Sequence, residues 1–258
     1  MIKFLKLVCF IVFLNGIWSC GQQKKIAYYQ DIDSFKDLSG AKFESKFQPD
    51  DLLMIIVSAP DPEAAAPFNL SPESVATPIG QSAAMSQRQH MLYLIDKEGK
   101  IEFPILGTID LMGKTKNEAI NILKGKLLQY VKNPIINIRV MNYKVSVQGE
   151  VTRPGAYPIT SERITLLEAL SLAGDLTIYG KRQNVLIIRE IDGKKTVGRV
   201  DLTKSDFMNS PYYYLVQNDV VYVEPNGAKS NSSTFNQNIP VWVSLSSVLI
   251  SLVLLFKK

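Results

Sequence analysis

Short alternating runs of hydrophobic and polar positions fill the middle of the chain, and they predict strands rather than long helices. Turn-forming residues separate the runs. Gln48-Pro49-Asp50-Asp51 precedes the first run, and Asp96-Lys97-Glu98-Gly99 predicts a hairpin between the second and the third. The predicted strands are residues 52–57, 91–95, 100–104, 135–140, 143–149, 156–159, 184–191, 196–202, 212–216 and 220–223.

Two helices are predicted, and each begins at a capping box of the form Thr-x-x-Glu, at residues 115–118 and 165–168. In such a box the threonine side chain accepts from the helix backbone while the glutamate returns to the backbone of the threonine. The first helix has an apolar face and continues to about Val131. The second is short, because Gly174 provides a stop.

Strands and helices in this order predict an α+β fold of two small β-rich units, residues 46–142 and 143–225. Within the first unit, residues 58–89 are rich in Ala, Pro and Ser and predict a long surface loop or loose hairpin. After the second unit, residues 226–238 are Ser/Asn-rich and predict a flexible linker.

The N-terminus has the pattern of an export signal. Residues 1–19 combine a basic start, an apolar core and a small residue before the cleavage point. Ile17-Trp18-Ser19-Cys20 resembles a bacterial lipobox, which implies cleavage before Cys20 and lipidation of that cysteine. Residues 20–45 then form an N-terminal anchor segment. The alternative is an ordinary signal peptide with a chance cysteine.

The C-terminus has the pattern of a membrane helix. Residues 239–256 carry no charge, and a helix of this length suits a thin membrane such as the outer membrane. Trp242 near one end and Lys257 and Lys258 at the other are residue types that anchor helices at membrane interfaces. The sequence therefore predicts a C-terminal transmembrane helix after the two units.

Three serines of this segment share one helical face and form a small, weakly polar stripe: Ser244, Ser247 and Ser251. Such a stripe suits helix packing in lipid, or it could line a lumen. The alternative is a monomeric tail anchor whose serines are incidental. A single helix cannot enclose a channel, so a pore would need several copies of the chain.

Composition excludes several classes of function. The formal charge of +5 is spread along 258 residues, without the basic stripe that nucleic-acid binding needs. Both cysteines, Cys9 and Cys20, precede the predicted units, which leaves no disulfide framework or thiolate metal site there. His90 is the one histidine, so a zinc site or catalytic triad is hard to assemble. We therefore expect no metal, no cofactor and no enzymatic activity.

Two other clusters have a functional and a structural interpretation. Asp50-Asp51 could be paired carboxylates, but adjacent strand residues point to opposite faces, and a turn is the better interpretation. Tyr212-Tyr213-Tyr214 could stack on sugars, although packing within the fold is the more ordinary role of such a run.

Residues 46–142 resemble the polysaccharide export domain of Wza-like outer-membrane proteins. The segments that carry this resemblance are residues 47–53, 96–107, 113–119 and 133–134. Residues 143–223 resemble one SLBB domain, which has a β-grasp fold. The segments that carry this second resemblance are residues 149–157, 170–174 and 218–223.

The resemblance implies a homo-oligomeric ring in the periplasm whose C-terminal helices cross the outer membrane, with polysaccharide leaving through the lumen. It also implies an inner-membrane partner, a polysaccharide co-polymerase often coupled to a tyrosine kinase. Lys24-Lys25 after Cys20 is no acidic surface-export signal, so we expect the body of a lipid-anchored protein to face the periplasm.

A different class of function stays open. The chain could be a periplasmic glycan-binding or adaptor lipoprotein that bridges envelope complexes without forming a pore. An envelope hydrolase is a more distant third, because it would need an acid/base pair at a defined spacing.

Overall fold

The computed structural model describes residues 26–34, 43–70, 92–191 and 193–234, together with Ser244, Ser247 and Val248. Within these residues the chain is α+β, with several small sheets and few helices, as the sequence predicts. The buried side chains form two hydrophobic cores, one in each half of the chain.

The first core is built on a three-stranded antiparallel sheet. Strand β1 (Leu52–Ser58) lies in the centre, between β2 (Tyr93–Leu94) and β5 (Ile135–Val140). Successive side chains of a strand point to opposite faces, so one face of β1 enters the core. The β1 residues on this buried face are Leu53, Ile55 and Val57.

A separate hairpin corrects the predicted pairing in this unit. The prediction that residues 91–95 and 100–104 pair with each other is wrong, because β2 pairs with β1, and β3 (Lys100–Phe103) pairs with β4 (Gly107–Asp110). The tight turn itself does form, since the N–H of Gly99 donates to the carbonyl of Asp96 at 3.0 Å. The chain therefore turns twice here and forms a strand that the pattern did not indicate.

Helix α1 (Pro62–Ala65) and a short 3-10 turn (Ala66–Phe68) stand where the sequence predicts only loop. The carboxylate of Asp61 caps α1 by accepting from the N–H of Glu63 at 3.1 Å. Phe68 is buried in the first core, which ties the start of this segment to the sheet. The rest of the predicted loop, from residue 71, lies outside the described residues up to residue 91.

Helix α2 (Lys116–Leu127) begins at the predicted capping box. The N–H of Thr115 donates to the Glu118 carboxylate at 2.8 Å, and the N–H of Glu118 donates to the Thr115 hydroxyl at 3.3 Å. The hydrogen bond from the Thr115 N–H to the carboxylate is the largest cause that lowers the pKa of Glu118. The helix packs on the first core through its apolar face, which consists of Ala119, Leu123 and Leu127.

The second core lies against a five-stranded sheet of order β10–β9–β12–β6–β7. Its strands are β6 (Lys144–Gly149), β7 (Gly155–Pro158), β9 (Gly180–Ile191), β10 (Lys194–Val200) and β12 (Val220–Pro225). Strands β12 and β6 are parallel, and the other neighbours are antiparallel.

Helix α3 (Leu166–Leu172) closes the second core through three buried residues, Leu166, Ala169 and Leu170. It begins at the second predicted capping box and is preceded by β8 (Ile164–Thr165), which pairs with β11 (Tyr214–Leu215). The two helices thus start by the same local mechanism, at the place where each chain segment leaves an extended conformation.

The predicted flexible linker is partly helical, because α4 (Gly227–Thr234) follows β12 directly. The side chain of Asn226 accepts the N–H of Lys229 at 3.1 Å, which caps the first turn of this helix. The predicted transmembrane segment, 239–256, lies outside the described residues except at Ser244, Ser247 and Val248. Within the described part of the chain, we find no helix with the length and apolar character needed to cross a membrane.

Candidate functional site

The first described segment, residues 26–34, runs along the second unit. The N–H of Gln30 donates to the carbonyl of Thr203 at 2.8 Å. The Asp31 carboxylate accepts the N–H of Ser205 at 2.6 Å, and the neighbouring Ser205, its side chain first and its backbone second, lowers the pKa of Asp31. The chain that follows the predicted lipidation site is therefore held on the second unit by hydrogen bonds of both backbone and side chain.

Tyr28 fixes one end of this segment. Its hydroxyl donates to the Asp175 carboxylate at 2.6 Å, and the guanidinium of Arg182 lies 5.8 Å from the ring centre. Burial, and then the neighbouring Asp175, raises the pKa of Tyr28 above its ordinary value, so the hydroxyl stays protonated and can donate.

The segment that follows β12 contacts the same loop as Tyr28 does. The N–H of Asn226 donates to the carbonyl of Tyr179 at 2.7 Å, and its side-chain amide donates to the carbonyl of Ile178 at 3.4 Å. In the first turn of α4, the ammonium of Lys229 lies 5.3 Å from the ring centre of Tyr179 and 3.7 Å from the Glu150 carboxylate. Both chain ends therefore contact residues 174–180, which we call the 174–180 loop.

The buried side chain of Arg182 stabilises the conformation of the 174–180 loop. The side chain is buried, and its guanidinium donates to the carbonyls of Thr177 at 2.9 Å, Gly180 at 2.8 Å and Leu176 at 3.3 Å. A planar guanidinium with donors in a fixed fork can satisfy several carbonyls at once, which an ammonium cannot do as well. The conformation of the loop is thus set by the interior of the unit.

Three large apolar residues in or just before the 174–180 loop are exposed, and we call them the apolar tip. They are Leu172 at the end of α3, which is 43% exposed, and Ile178 and Tyr179 in the loop, which are 66% and 38% exposed.

A cleft of about 650 Å³ lies between the two units. Its walls include three aromatic residues, Phe43, Phe47 and Tyr143, and an ion pair between Lys116 and Glu162 that joins the units. Val140, at the end of β5, packs against both cores.

Asp51 lies at this cleft and confirms that the Asp50-Asp51 pair belongs to a turn. One carboxylate oxygen accepts the N–H of Gln48 at 2.9 Å, and the N–H of Asp51 donates to the carbonyl of Gln48 at 3.2 Å. The other carboxylate oxygen is buried and has no hydrogen-bond partner among the described residues. Burial, with a smaller contribution from Asp50, raises the pKa of Asp51 to about 6.

The run of three tyrosines packs within the fold. Tyr213 lies against Phe207 at 6.0 Å and against Tyr214 at 4.9 Å between ring centres. The ring of Tyr212 covers the guanidinium of Arg189 at 5.1 Å. These contacts favour the packing interpretation over sugar stacking.

Arg189 forms the central ion pair of the second unit. Its guanidinium donates to both oxygens of Asp219, at 3.0 Å from Nε to Oδ1 and 2.7 Å from Nη2 to Oδ2. It also donates to the carbonyls of Pro211 at 3.1 Å and Tyr214 at 2.9 Å. The pair joins β9 to the turn before β12, and Asp219 is fully buried.

Most of the predicted site residues fall outside the described chain: Cys20, Trp242, Ser251, Lys257 and Lys258. Ser244 and Ser247 are described and exposed, and the hydroxyl of Ser247 donates to the carbonyl of Ser244 at 2.9 Å, as helical neighbours do. Whether the three serines share a packed or lumen-facing surface stays a prediction. In the described residues, no group of His, Cys, Asp and Glu side chains could hold a metal ion.

Comparisons with known proteins agree with this arrangement. Residues 40–141 match the family described as polysaccharide biosynthesis/export protein, and residues 143–223 match the SLBB domain. The order of the two matches, an export unit followed directly by an SLBB unit, supports the resemblance to Wza-like polysaccharide export proteins that the sequence indicates.

Two curated relatives share the name EPS I polysaccharide export outer membrane protein EpsA. The protein of Ralstonia solanacearum is 31% identical over 137 residues, which cover 52% of this chain and 36% of the relative. The protein of Ralstonia nicotianae is 36% identical over 101 residues, covering 38% and 26% respectively. The chain thus spans only about a quarter to a third of the length of these relatives.

Proposed function

We propose that this protein is the outer-membrane component of a system that exports capsular or exopolysaccharide, and that it acts as a conduit rather than an enzyme. One observation carries the proposal: a single chain joins the export unit to the SLBB unit, and two relatives that are 31% and 36% identical over part of it are named as polysaccharide export outer membrane proteins. A conduit requires a passage and not a catalytic group.

Two membrane attachments complete the proposed topology. Lipid on Cys20 anchors the N-terminus, and the helix at residues 239–256 crosses the outer membrane. The bulk of the chain then lies in the periplasm. The contacts of Tyr28 and Asn226 with the 174–180 loop support this topology, since two attachments to one membrane leave most simply from one end of the body.

The conduit is a homo-oligomeric ring, because one helix cannot enclose a passage. Helices of neighbouring copies pack through the face that carries Ser244, Ser247 and Ser251. Exposed apolar residues of the first unit, Ile105 at 58% and Leu128 at 56%, are consistent with surface that assembly would cover.

Polysaccharide is the transported substrate, and it passes through the ring without a bond being made or broken. An inner-membrane polysaccharide co-polymerase, often coupled to a tyrosine kinase, is the proposed partner that delivers the polymer. The co-polymerase would meet the side of the ring that faces away from the outer membrane.

The cleft between the units favours a second candidate function. A concave site of about 650 Å³ with aromatic and carboxylate residues could bind a soluble glycan, and the chain would then act as an adaptor lipoprotein without a pore. Assembly separates the two functions, because a conduit must be a closed oligomer and an adaptor need not be.

Deletion of the gene, followed by complementation, tests the proposal. We expect the deletion to remove polysaccharide from the cell surface while polymer accumulates inside or synthesis stops. The full chain should restore export, whereas a chain lacking residues 239–258 should not. Replacing Ser247 by Leu should reduce export more than the matched change at Ser246, which lies off the serine face. Normal surface polysaccharide in the deletion strain would contradict the proposal.

A further inference from the structure

We propose that the apolar tip, formed by Leu172, Ile178 and Tyr179, is a lipid-contact surface that lies in the headgroup region of the periplasmic leaflet of the outer membrane. The inference rests on the proposed function, because it needs the chain to be attached to that membrane. It goes further, since it assigns the contact to named residues of the folded SLBB unit instead of the anchors alone.

The length of chain on either side limits how far the tip can lie from the bilayer. Eight residue steps separate Tyr28 from Cys20, which is at most about 28 Å of extended chain. On the other side, α4 accounts for about 12 Å and residues 235–239 for at most about 17 Å. Both attachments therefore keep this end of the body within about 30 Å of the membrane, and nearer wherever the chain is not fully extended.

Hydrogen bonds fix the backbone of the 174–180 loop, while two of its apolar side chains are exposed. The buried guanidinium of Arg182 binds three of its carbonyls, and Tyr28 and Asn226 hold its two ends. An isoleucine that is 66% exposed on such a fixed loop keeps about two thirds of its surface in contact with whatever lies outside. In water this exposure gains nothing, whereas apolar area transferred to lipid is stabilising.

The residue types at the tip match a membrane interface. A tyrosine places its ring at the boundary and its hydroxyl in water, which is why tyrosine is enriched there. Two lysines flank the tip, and each pairs with a carboxylate: Lys229 beside Tyr179 lies 3.7 Å from Glu150, and Lys181, which is 44% exposed, lies 3.0 Å from Glu224. The charges beside the tip are therefore balanced, and the match to a membrane interface rests on its apolar and tyrosine side chains.

Two occupants could cover the apolar tip: lipid, or a second copy of this chain. The geometry of a ring favours lipid. In a ring whose axis is perpendicular to the membrane, neighbouring copies sit at the same height and meet through their sides. The apolar tip is instead at the end from which both membrane attachments leave. A neighbouring copy is therefore the competing outcome that the experiment has to exclude.

Single-cysteine labelling tests the inference on the full, lipidated chain. Cys9 lies in the predicted signal peptide and Cys20 carries lipid, so an introduced cysteine is the one free thiol. Ile178→Cys and Leu172→Cys report on the tip, and Ile135→Cys is the matched control, since Ile135 is 68% exposed but lies on the first unit. Each variant receives an environment-sensitive fluorophore and is reconstituted in phosphatidylethanolamine and phosphatidylglycerol vesicles, with nitroxide-bearing lipids as quenchers.

We expect lipid nitroxide to quench the label at residues 178 and 172 about threefold more than at residue 135, as a surface seated at the headgroup boundary requires. Equal, weak quenching at all three positions would overturn the inference. A blue-shifted label at residue 178 without lipid quenching would place that residue against a neighbouring copy, and would also overturn it.

Flotation of the same vesicles separates this inference from the proposed function. Protein that floats with the vesicles but is not quenched at residue 178 keeps its membrane attachment and loses only the lipid contact of the tip. Protein that does not float lacks the attachment itself, which would contradict both the proposed topology and the contact.

Discussion

Replacing Arg189 by Met should strongly destabilise the SLBB unit. Methionine is an unbranched apolar side chain of comparable length, but it has none of the donors that form hydrogen bonds with Asp219. It also leaves the carbonyls of Pro211 and Tyr214 without those donors. The other contact of the Asp219 carboxylate is the N–H of Val216, at 2.9 Å.

The magnitude follows from burial. Asp219 is fully buried and Arg189 nearly so, which means that water cannot replace the lost partner. Breaking a buried ion pair from one side costs about 3–5 kcal/mol of unfolding free energy. Burial raises the pKa of Asp219, and the pair with Arg189 opposes that rise, so losing Arg189 should push the carboxyl further towards its protonated form.

Urea unfolding of the full chain in mild detergent, followed by circular dichroism, measures the loss. Arg199→Met is the matched control: Arg199 is 57% exposed and pairs with Glu224, so its removal should cost less than about 1 kcal/mol. The double variant Arg189→Met, Asp219→Asn should recover about 2 kcal/mol relative to the sum of the single changes. A loss for Arg189→Met no larger than that for Arg199→Met would refute the reasoning.

Three further predictions concern single residues. Asp51 has a pKa of about 6 in the folded chain and about 3.9 in the unfolded chain, so its charge destabilises the fold above pH 6 by up to about 3 kcal/mol. This penalty disappears as the pH falls towards about 4. The melting temperature of Asp51→Asn should therefore exceed that of the native chain by less at low pH than at neutral pH, and a constant difference would contradict this. Gly149 has φ +89, and an added Cβ would lie 2.1 Å from the carbonyl oxygen of Val223. Gly149→Ala should therefore lower the unfolding free energy by more than about 1 kcal/mol. Gly193→Ala is the control: Gly193 has φ +72 and open space around it, so this variant measures the cost of the backbone conformation alone. Thr165→Ala should cost about 1 kcal/mol through loss of the cap of α3, and Thr165→Ser should restore most of it.

Features governed by local rules could be predicted from the sequence. Both helices start at Thr-x-x-Glu because a capping box needs only residues three apart, and both boxes form. The strands at residues 135–140 and 220–223 were predictable in the same way, since their buried faces follow from alternation.

The hairpin of β3 and β4 was not predicted, although Pro104 and Gly107 at its turn are both turn-forming residues. Ile105 adopts φ +65 between the strands, a conformation in which β-branched residues are rare. Pro104-Ile105-Leu106 therefore reads as the end of a strand, whereas the pairing of Ile101 with Ile109 on a buried face imposes the turn.

The contacts at the 174–180 loop were also beyond the sequence, since they join residues far apart in the chain. Tyr28 and Asp175 are separated by 147 positions, and no local pattern connects them. An isolated arginine such as Arg182 ordinarily suggests a surface charge, and its buried role emerges only when three loop carbonyls surround it. The two anchors stay predictions from sequence motifs, whereas the contacts of Tyr28 and Asn226 with one loop depend on the fold.

The mass of the detergent-extracted, lipidated protein, measured with and without residues 239–258, tests the central claim most directly. A conduit predicts one discrete high-order oligomer for the full chain, which loosens when the C-terminal segment is removed. A clean monomer in both forms would contradict the self-assembled ring and leave the adaptor as the better account of this protein.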